Sequence, residues 1–194
     1  MPLVPRYFDA LASLIRDAET TTGEGARLTL DDALPEAITL LRGASADGGK
    51  ILFIGNGGSA GIASHMAIDF TKNGGMPALA FNDGAALTCF GNDLGYENVF
   101  SAQITAHARH GDVLIAISSS GRSPNILRAV AAARTRGCRV ITLSGFTPDN
   151  PLRALGDLNL YVSSNQYGFV EVGHQALLHA ILDLAMGWKG EIRA

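Results

Sequence analysis

His65 and Asp69 are the first residues whose types and spacing can do chemistry. Four apart in a helix, they share one face with Cβ atoms roughly 6 Å from each other. An imidazole beside a carboxylate can move a proton or hold a metal ion. A second set lies near the C-terminus: Glu171, His174 and His179. The immediate neighbours of His179 are Leu178, Ala180 and Ile181, a setting that lowers the pKa of an unpaired imidazole and keeps a neutral base available near pH 7. His174 reads instead as a polar group satisfied by packing. Glu171 precedes His179 by eight residues, about 12 Å along an unbroken helix. The two therefore meet one small ligand only from opposite ends, or across a boundary between subunits.

Two glycine- and hydroxyl-rich stretches suit an anion rather than a proton. Gly55-Asn56-Gly57-Gly58-Ser59 follows the apolar run Ile51 to Ile54 and precedes a helical pattern. Its glycines permit positive φ and close backbone approach, Ser59 reads as an N-cap, and the free N–H groups of a helix start favour a phosphate. The turn is no P-loop, since GxxxxGK[ST] is absent, and it fits the dinucleotide pattern only in the looser form that ends in alanine, at Ala60. Ser118-Ser119-Ser120-Gly121-Arg122-Ser123 stands in the same context after VLIAI, with Pro124 in the first turn of the next helix. Its hydroxyls and backbone N–H groups hold a phosphate without a basic pocket. Arg122 can add a charged contact, although a solvated arginine is the ordinary outcome.

These residues need a scaffold of alternating strands and helices. Helical spacing covers Tyr7 to Ala18 and Leu30 to Leu41, both ahead of any strand, and Gly43 to Lys50 reads as a turn. Short apolar runs follow at Ile51 to Ile54, Pro77 to Phe81, Asp112 to Ile117, Arg139 to Leu143 and Leu158 to Val162. Between and after them lie helical patterns over Ala85 to Phe90, Val99 to Ala108, Asn125 to Arg136 and Gly168 to Gly187, with a glycine-flanked loop at Gly91 to Gly95. Continuous apolar strands alternating with helices predict an α/β protein, its parallel sheet covered on both faces. Ligands in such sheets bind outside the carboxyl ends of the strands, where both serine-bearing turns open.

Composition narrows the classes. The chain has 194 residues, 47% hydrophobic, enough for one core and short for two domains. A net charge of −3 without any basic cluster argues against nucleic acid and against an anionic membrane. Cys89 and Cys138 sit among apolar neighbours and read as small buried thiols, which suits a reducing cytoplasm. The N-terminus has no basic region followed by an apolar one, and no run of about 18 apolar residues occurs, so neither export nor membrane spanning is expected.

Taken together, GNGGS at 55 to 59, the His65-x3-Asp69 helix, GND at 91 to 93, the serine run at 118 to 123 and the Glu171…His179 helix resemble the phosphoheptose isomerase family of the SIS (sugar isomerase) domain class. The resemblance spans nearly the whole chain and displaces the dinucleotide reading. It implies a three-layer αβα sandwich with a five-stranded parallel sheet, flavodoxin-like. That would be a single SIS domain over residues 1–194, with N-terminal helices within 5–45 packing on the sheet and in the oligomer. A homotetramer with sites between subunits is implied as well. Substrate-binding roles are implied for Asn56, Gly57, Gly58, Ser59, Asp93, Ser118, Ser119, Ser120, Ser123 and Glu171, and acid/base roles for Asp69 and His179. Some members bind zinc through positions matching His65, Asp69, Glu171 and His179, one ion per subunit.

Two departures accompany the resemblance. The family's glutamate is Asp69 here and its glutamine is Glu171. A carboxylate drawn back by about 1.5 Å calls for a bound metal or a differently seated substrate, since a misplacement of about 1 Å can cost roughly 100-fold. The added charge of Glu171 favours a divalent ion held by two histidines and two carboxylates. The expected reaction is aldose–ketose isomerisation of a sugar phosphate, foremost sedoheptulose 7-phosphate, through an enediol whose C1 and C2 lie between opposed groups. The alternatives are another sugar-phosphate substrate, or a non-catalytic SIS protein that binds a protein partner, as the DnaA-binding member does. That member lacks the acidic residue and the histidine kept here.

Overall fold

A computed structural model describes residues 2–191. The elements run α1 (Leu3–Arg16), β1 (Glu19–Thr22), β2 (Arg27–Leu28), α2 (Leu30–Ala46), β3 (Ile51–Gly55), α3 (Gly58–Lys72), β4 (Ala78–Ala80) and α4 (Gly84–Leu94). They continue with α5 (Val99–His107), β5 (Val113–Ser118), α6 (Pro124–Thr135), β6 (Arg139–Ser144), β7 (Leu158–Tyr161) and α7 (Tyr167–Ala185). Short 3-10 turns occupy Tyr96–Asn98 and Pro151–Ala154.

The seven strands form one sheet in the order β2-β1-β7-β6-β5-β3-β4. From β7 to β4 every neighbour is parallel, which is the expected five-stranded parallel core. The structure adds an antiparallel hairpin, β1 and β2, on the β7 edge. Its Glu19-Thr20-Thr21-Thr22 carries none of the apolar alternation that marks a strand. Three β-branched threonines favour the extended state, and Thr20 donates from Oγ1 to the Leu28 carbonyl at 2.7 Å.

Continuous apolar strands are explained by their two covered faces. Ile51, Phe53, Val113, Ile115 and Ile117 pack with α2, α3 and α7, while Leu52, Ile54, Leu114 and Ala116 pack with α5 and α6. Each of these valines, leucines, isoleucines and phenylalanines contributes about 1.5–3 kcal/mol by burial. Helix α2 runs on through Gly43 to Ala46, because Ala44 is buried in that core and one glycine costs only about 1 kcal/mol. Helix α4 likewise runs on through Gly91-Asn92-Asp93, where a loop was expected. Asp83 caps its start by accepting from the Ala86 N–H, and Gly95, at φ 84°, ends it.

Helix α1 contributes no buried residue; it rests on α7 through Tyr7 and Phe169, whose ring centroids are 4.8 Å apart. Cys138 is buried as expected, and burial pushes its thiol up to about 11. Cys89 is exposed on α4, against the expectation, since Thr88 and Cys89 fall on that helix's solvent side.

Candidate active site

The first phosphate seat is built by backbone. A Cβ on Gly55 would lie 2.5 Å from the Ser59 carbonyl oxygen, so only glycine lets the chain turn from β3 into α3 this tightly. Gly57, at φ 55° and ψ −121°, is the N-cap, in place of Ser59, and no side chain bonds the first N–H groups of α3. Ser59 sits inside the first turn, 3% exposed. Helices α6 and α7 also start without a side-chain cap bond, at Ser123 and Gln166. Of the other helices, α2 and α4 are capped by Thr29 and Asp83, whereas α1 and α5 start without a side-chain cap bond too.

The starts of α3, α6 and α7 meet at one cavity of about 250 Å³, lined from the first turn by Asn56, Gly57, Gly58 and Ser59. The second turn lines it with Ser118, Ser119, Ser120 and Ser123, and α7 with Tyr167 and Glu171. Ser119 Oγ is buried with no hydrogen-bond partner, a condition costing about 1–3 kcal/mol unless something bonds it. Among the described residues, no cationic side chain lines the cavity. Arg122 turns away, its Nη2 3.0 Å from Asp149 Oδ1, and its side chain is half exposed. The seat is therefore one of hydroxyls and helix N-termini without a cation, with the Glu171 carboxylate at its edge over Gly58.

Further down the same pair of helices lies a titratable cluster. Helices α3 and α7 run side by side in the same direction, with Gly58 against Glu171, His65 against His179 and Gly74 against Leu182. His65 Nε2 is 3.2 Å from His179 Nε2 and 3.3 Å from Asp69 Oδ2. Asn73 Nδ2 donates to the other Asp69 oxygen at 3.3 Å and so orients the carboxylate. His179 is thus paired with a second imidazole rather than isolated among apolar groups. Tetrahedral zinc with ligands at about 2.0–2.1 Å holds neighbouring donor atoms about 3.4 Å apart. His65, Asp69 and His179, with ligand atoms all within 4.8 Å of one another, fit three corners of such a site and leave the fourth open.

Glu171 does not join this cluster. Its carboxylate lies over Gly58, where an added Cβ would stand 2.4 Å from Oε1, and it lines the serine cavity instead. The eight-residue offset from Glu171 to His179 places the two at opposite ends of the groove, as helix geometry requires. Asp93 lies outside the cavity of its own chain; exposed on α4, it takes bonds from Asn92 and Cys89. Asp69 and His179 are adjacent rather than opposed. His174 is fully buried and donates from Nε2 to the Ser144 carbonyl at 2.9 Å, and burial pushes it down to about 4. It is a neutral core histidine.

The SIS domain family profile matches residues 6–145. Phosphoheptose isomerase from Helicobacter hepaticus is 40% identical over 169 residues, 84% of this chain and 86% of that one. The relative from Citrifermentans bemidjiense is 38% identical over 161 residues, covering 80% and 83%. The chain belongs to the phosphoheptose isomerase family. The solved phosphoheptose isomerase of Neisseria gonorrhoeae superimposes with a TM-score of 0.81 at 34% identity, over 94% of this chain and 97% of that chain.

Three cavity neighbours of this phosphoheptose isomerase homologue escape a reading of its sequence. Tyr167 looks like an ordinary helix-start aromatic. Asn125, after Pro124, looks like a solvated first-turn residue, yet it is buried and exchanges hydrogen bonds with Asn56. Tyr96 sits in a glycine-flanked stretch, and its hydroxyl donates to Asn56 Oδ1 at 3.0 Å. No local pattern marks any of them.

Proposed function

We propose that the protein is an aldose–ketose isomerase interconverting sedoheptulose 7-phosphate and D-glycero-D-manno-heptose 7-phosphate. One observation carries this reading. An anion seat of hydroxyls and helix N-termini and a carboxylate–imidazole cluster lie about two helical turns apart, roughly 10 Å, on one pair of parallel helices. That is the span of an extended sugar phosphate, with its phosphate at one end and C1 and C2 at the other.

In this reading the phosphate accepts hydrogen bonds from Ser59, Ser119, Ser120 and Ser123 and from the N–H groups opening α3 and α6. Ser118 completes the wall, and Glu171 accepts from a sugar hydroxyl beside Gly58. Asp69 Oδ2 takes the proton from one of C1 and C2. His179 Nε2 moves protons on the enediol oxygens, and the other carbon is reprotonated from the same cluster. Each such group contributes on the order of 10²- to 10⁴-fold. His65, Asp69 and His179 would hold zinc through the atoms that carry the proton when no metal is bound, with Glu171, over Gly58 at the other end of the groove, outside the set. Bound zinc would supply Lewis-acid polarisation of the C1 and C2 oxygens.

Several finer readings rest on the same basis. The chain forms one SIS domain over residues 1–194, and it assembles as a homotetramer with sites between subunits. The exposed apolar residues Leu3, Val4 and Phe8 of α1 support the assembly. We place the protein in the cytoplasm, where its substrate class and its free thiols belong; no described helix is long and apolar enough to cross a membrane.

The test is proton exchange at C1 and C2 of sedoheptulose 7-phosphate, followed by NMR in heavy water with metal-free and zinc-loaded protein. Exchange that disappears in His179→Ala supports the assignment, and metal content measured on His65→Ala checks the zinc ligands. Absence of exchange in both forms, with inorganic phosphate still bound, would overturn it.

A further inference from the structure

The serine cavity is assembled from two turns far apart in the chain, and hydroxyls and N–H dipoles hold an anion only if both turns keep their spacing. Strand pairing sets the base of that spacing, Gly55 lying opposite Ile117. Beyond the strand ends, among the described residues, one pair of side chains joins the turns directly. Asn56 Nδ2 donates to Asn125 Oδ1 at 2.9 Å, and Asn125 Nδ2 donates to Asn56 Oδ1 at 2.8 Å. Turning either amide over would set oxygen against oxygen and nitrogen against nitrogen, so the two-way pairing fixes both orientations.

Each end of the pair is anchored. Asn125 is 2% exposed, and its Oδ1 also accepts the Ile126 N–H at 3.0 Å, locking it to the first turn of α6. Asn56 Oδ1 also accepts from the Tyr96 hydroxyl at 3.0 Å. The Tyr96 segment is held on α6 in turn by Arg128, whose Nη1 donates to Asn98 Oδ1 at 2.8 Å. With both oxygens doubly used, Asn56 keeps one free N–H for whatever enters the cavity.

We propose that Asn125 is a positioning residue for the phosphate seat: through its reciprocal amide pair with Asn56 it holds the β3–α3 and β5–α6 turns at the separation one phosphate requires. The inference rests on the phosphate seat of the isomerase reading. A role in folding alone would lower stability and leave the affinity of the folded protein untouched, whereas a positioning role moves affinity itself.

The experiment measures the Kd of inorganic phosphate by titration calorimetry, and KM and kcat for sedoheptulose 7-phosphate, on wild type, Asn56→Ala, Asn125→Ala, the double variant and Tyr96→Phe. Asn125→Ala should raise the phosphate Kd about 10-fold, the worth of one well-placed hydrogen bond. KM should rise by a similar factor with kcat within about 3-fold, the pattern of lost uniform binding. The double variant should be no worse than Asn56→Ala by more than about 2-fold, because either change alone breaks the pair. Tyr96→Phe should raise Kd about 2-fold. Should Asn125→Ala not fold, Asn125→Ser, a smaller polar change at the same residue outside the cavity lining, carries the same Kd and KM readouts. Variants that bind phosphate like wild type, or single effects that multiply in the double variant, overturn the inference. A wild type that binds phosphate without exchanging sugar protons overturns the isomerase reading alone, and one that binds no phosphate overturns both.

Discussion

The two ends of strands β3 and β5 treat polar groups in opposite ways. At the amino ends Asp112 is fully buried, and every bond it needs comes from its own chain. It accepts from the Lys50 N–H and the Arg109 N–H, both at 2.9 Å, and from Lys50 Nζ at 2.6 Å. At the carboxyl ends Ser119 Oγ is buried without a partner, and α3, α6 and α7 start without side-chain caps. A saturated buried group is a fastener, whereas unsaturated groups converging on a cavity are kept for a ligand. The difference separates stability from function within one pair of strands, and each half can be broken separately.

The largest effect belongs to the carboxyl side. Asp69→Ala should cut turnover by about 10³-fold or more, with the Kd for inorganic phosphate unchanged in calorimetry; a turnover within 10-fold of wild type would remove Asp69 from the chemistry. Next comes the amino side. Asp112→Ala strands the Lys50 ammonium and two N–H groups, and should cost about 3–5 kcal/mol in urea unfolding. Its kcat, measured on the folded fraction, should stay as in wild type, and a lowered kcat would contradict the division.

A third effect depends on pH. His174 is charged in the unfolded chain below about 6.5, but in the folded protein only below about 4. Between those values the unfolded state binds more protons, so stability is complete above the upper value and falls as pH drops toward the lower. The loss is on the order of 3 kcal/mol. His174→Gln, which can still donate to the Ser144 carbonyl, should flatten that part of the stability curve; an unchanged acid limb would show that another group causes it.

The smallest effect sharpens the comparison best. Ser119→Ala removes an unpartnered hydroxyl, so thermal stability should hold or rise slightly while the phosphate Kd rises about 5- to 10-fold. A fall in stability with unchanged Kd would place Ser119 among the fasteners.

Much of this was legible along the chain. VLIAI was readable as a strand buried on both faces, and Pro124 as the start of a helix. The pairing of Asp69 with His65 is a local i, i+4 matter. Other features were not readable, for identifiable reasons. Ser59 has the side chain of an N-cap, but the left-handed Gly57 takes that place. Gly91-Asn92-Asp93 has the composition of a loop, yet an Asp83 cap and packing carry α4 through it. The β1 and β2 hairpin is four polar residues paired with a two-residue strand, too short and too polar to show an apolar alternation.

The sequence by itself determined the alternation of strands and helices, the two glycine- and serine-bearing turns and the i, i+4 pair, because each depends on period, φ freedom and neighbours within a turn of helix. Only the tertiary structure decided that His179 meets His65 across 114 residues, that Glu171 faces the anion seat instead of the histidines, and that Asn56 spends its amide on Asn125. Those outcomes follow from the parallel docking of α3 on α7 and the lateral pairing of β3 with β5. Long-range packing sets both, and no local pattern encodes it.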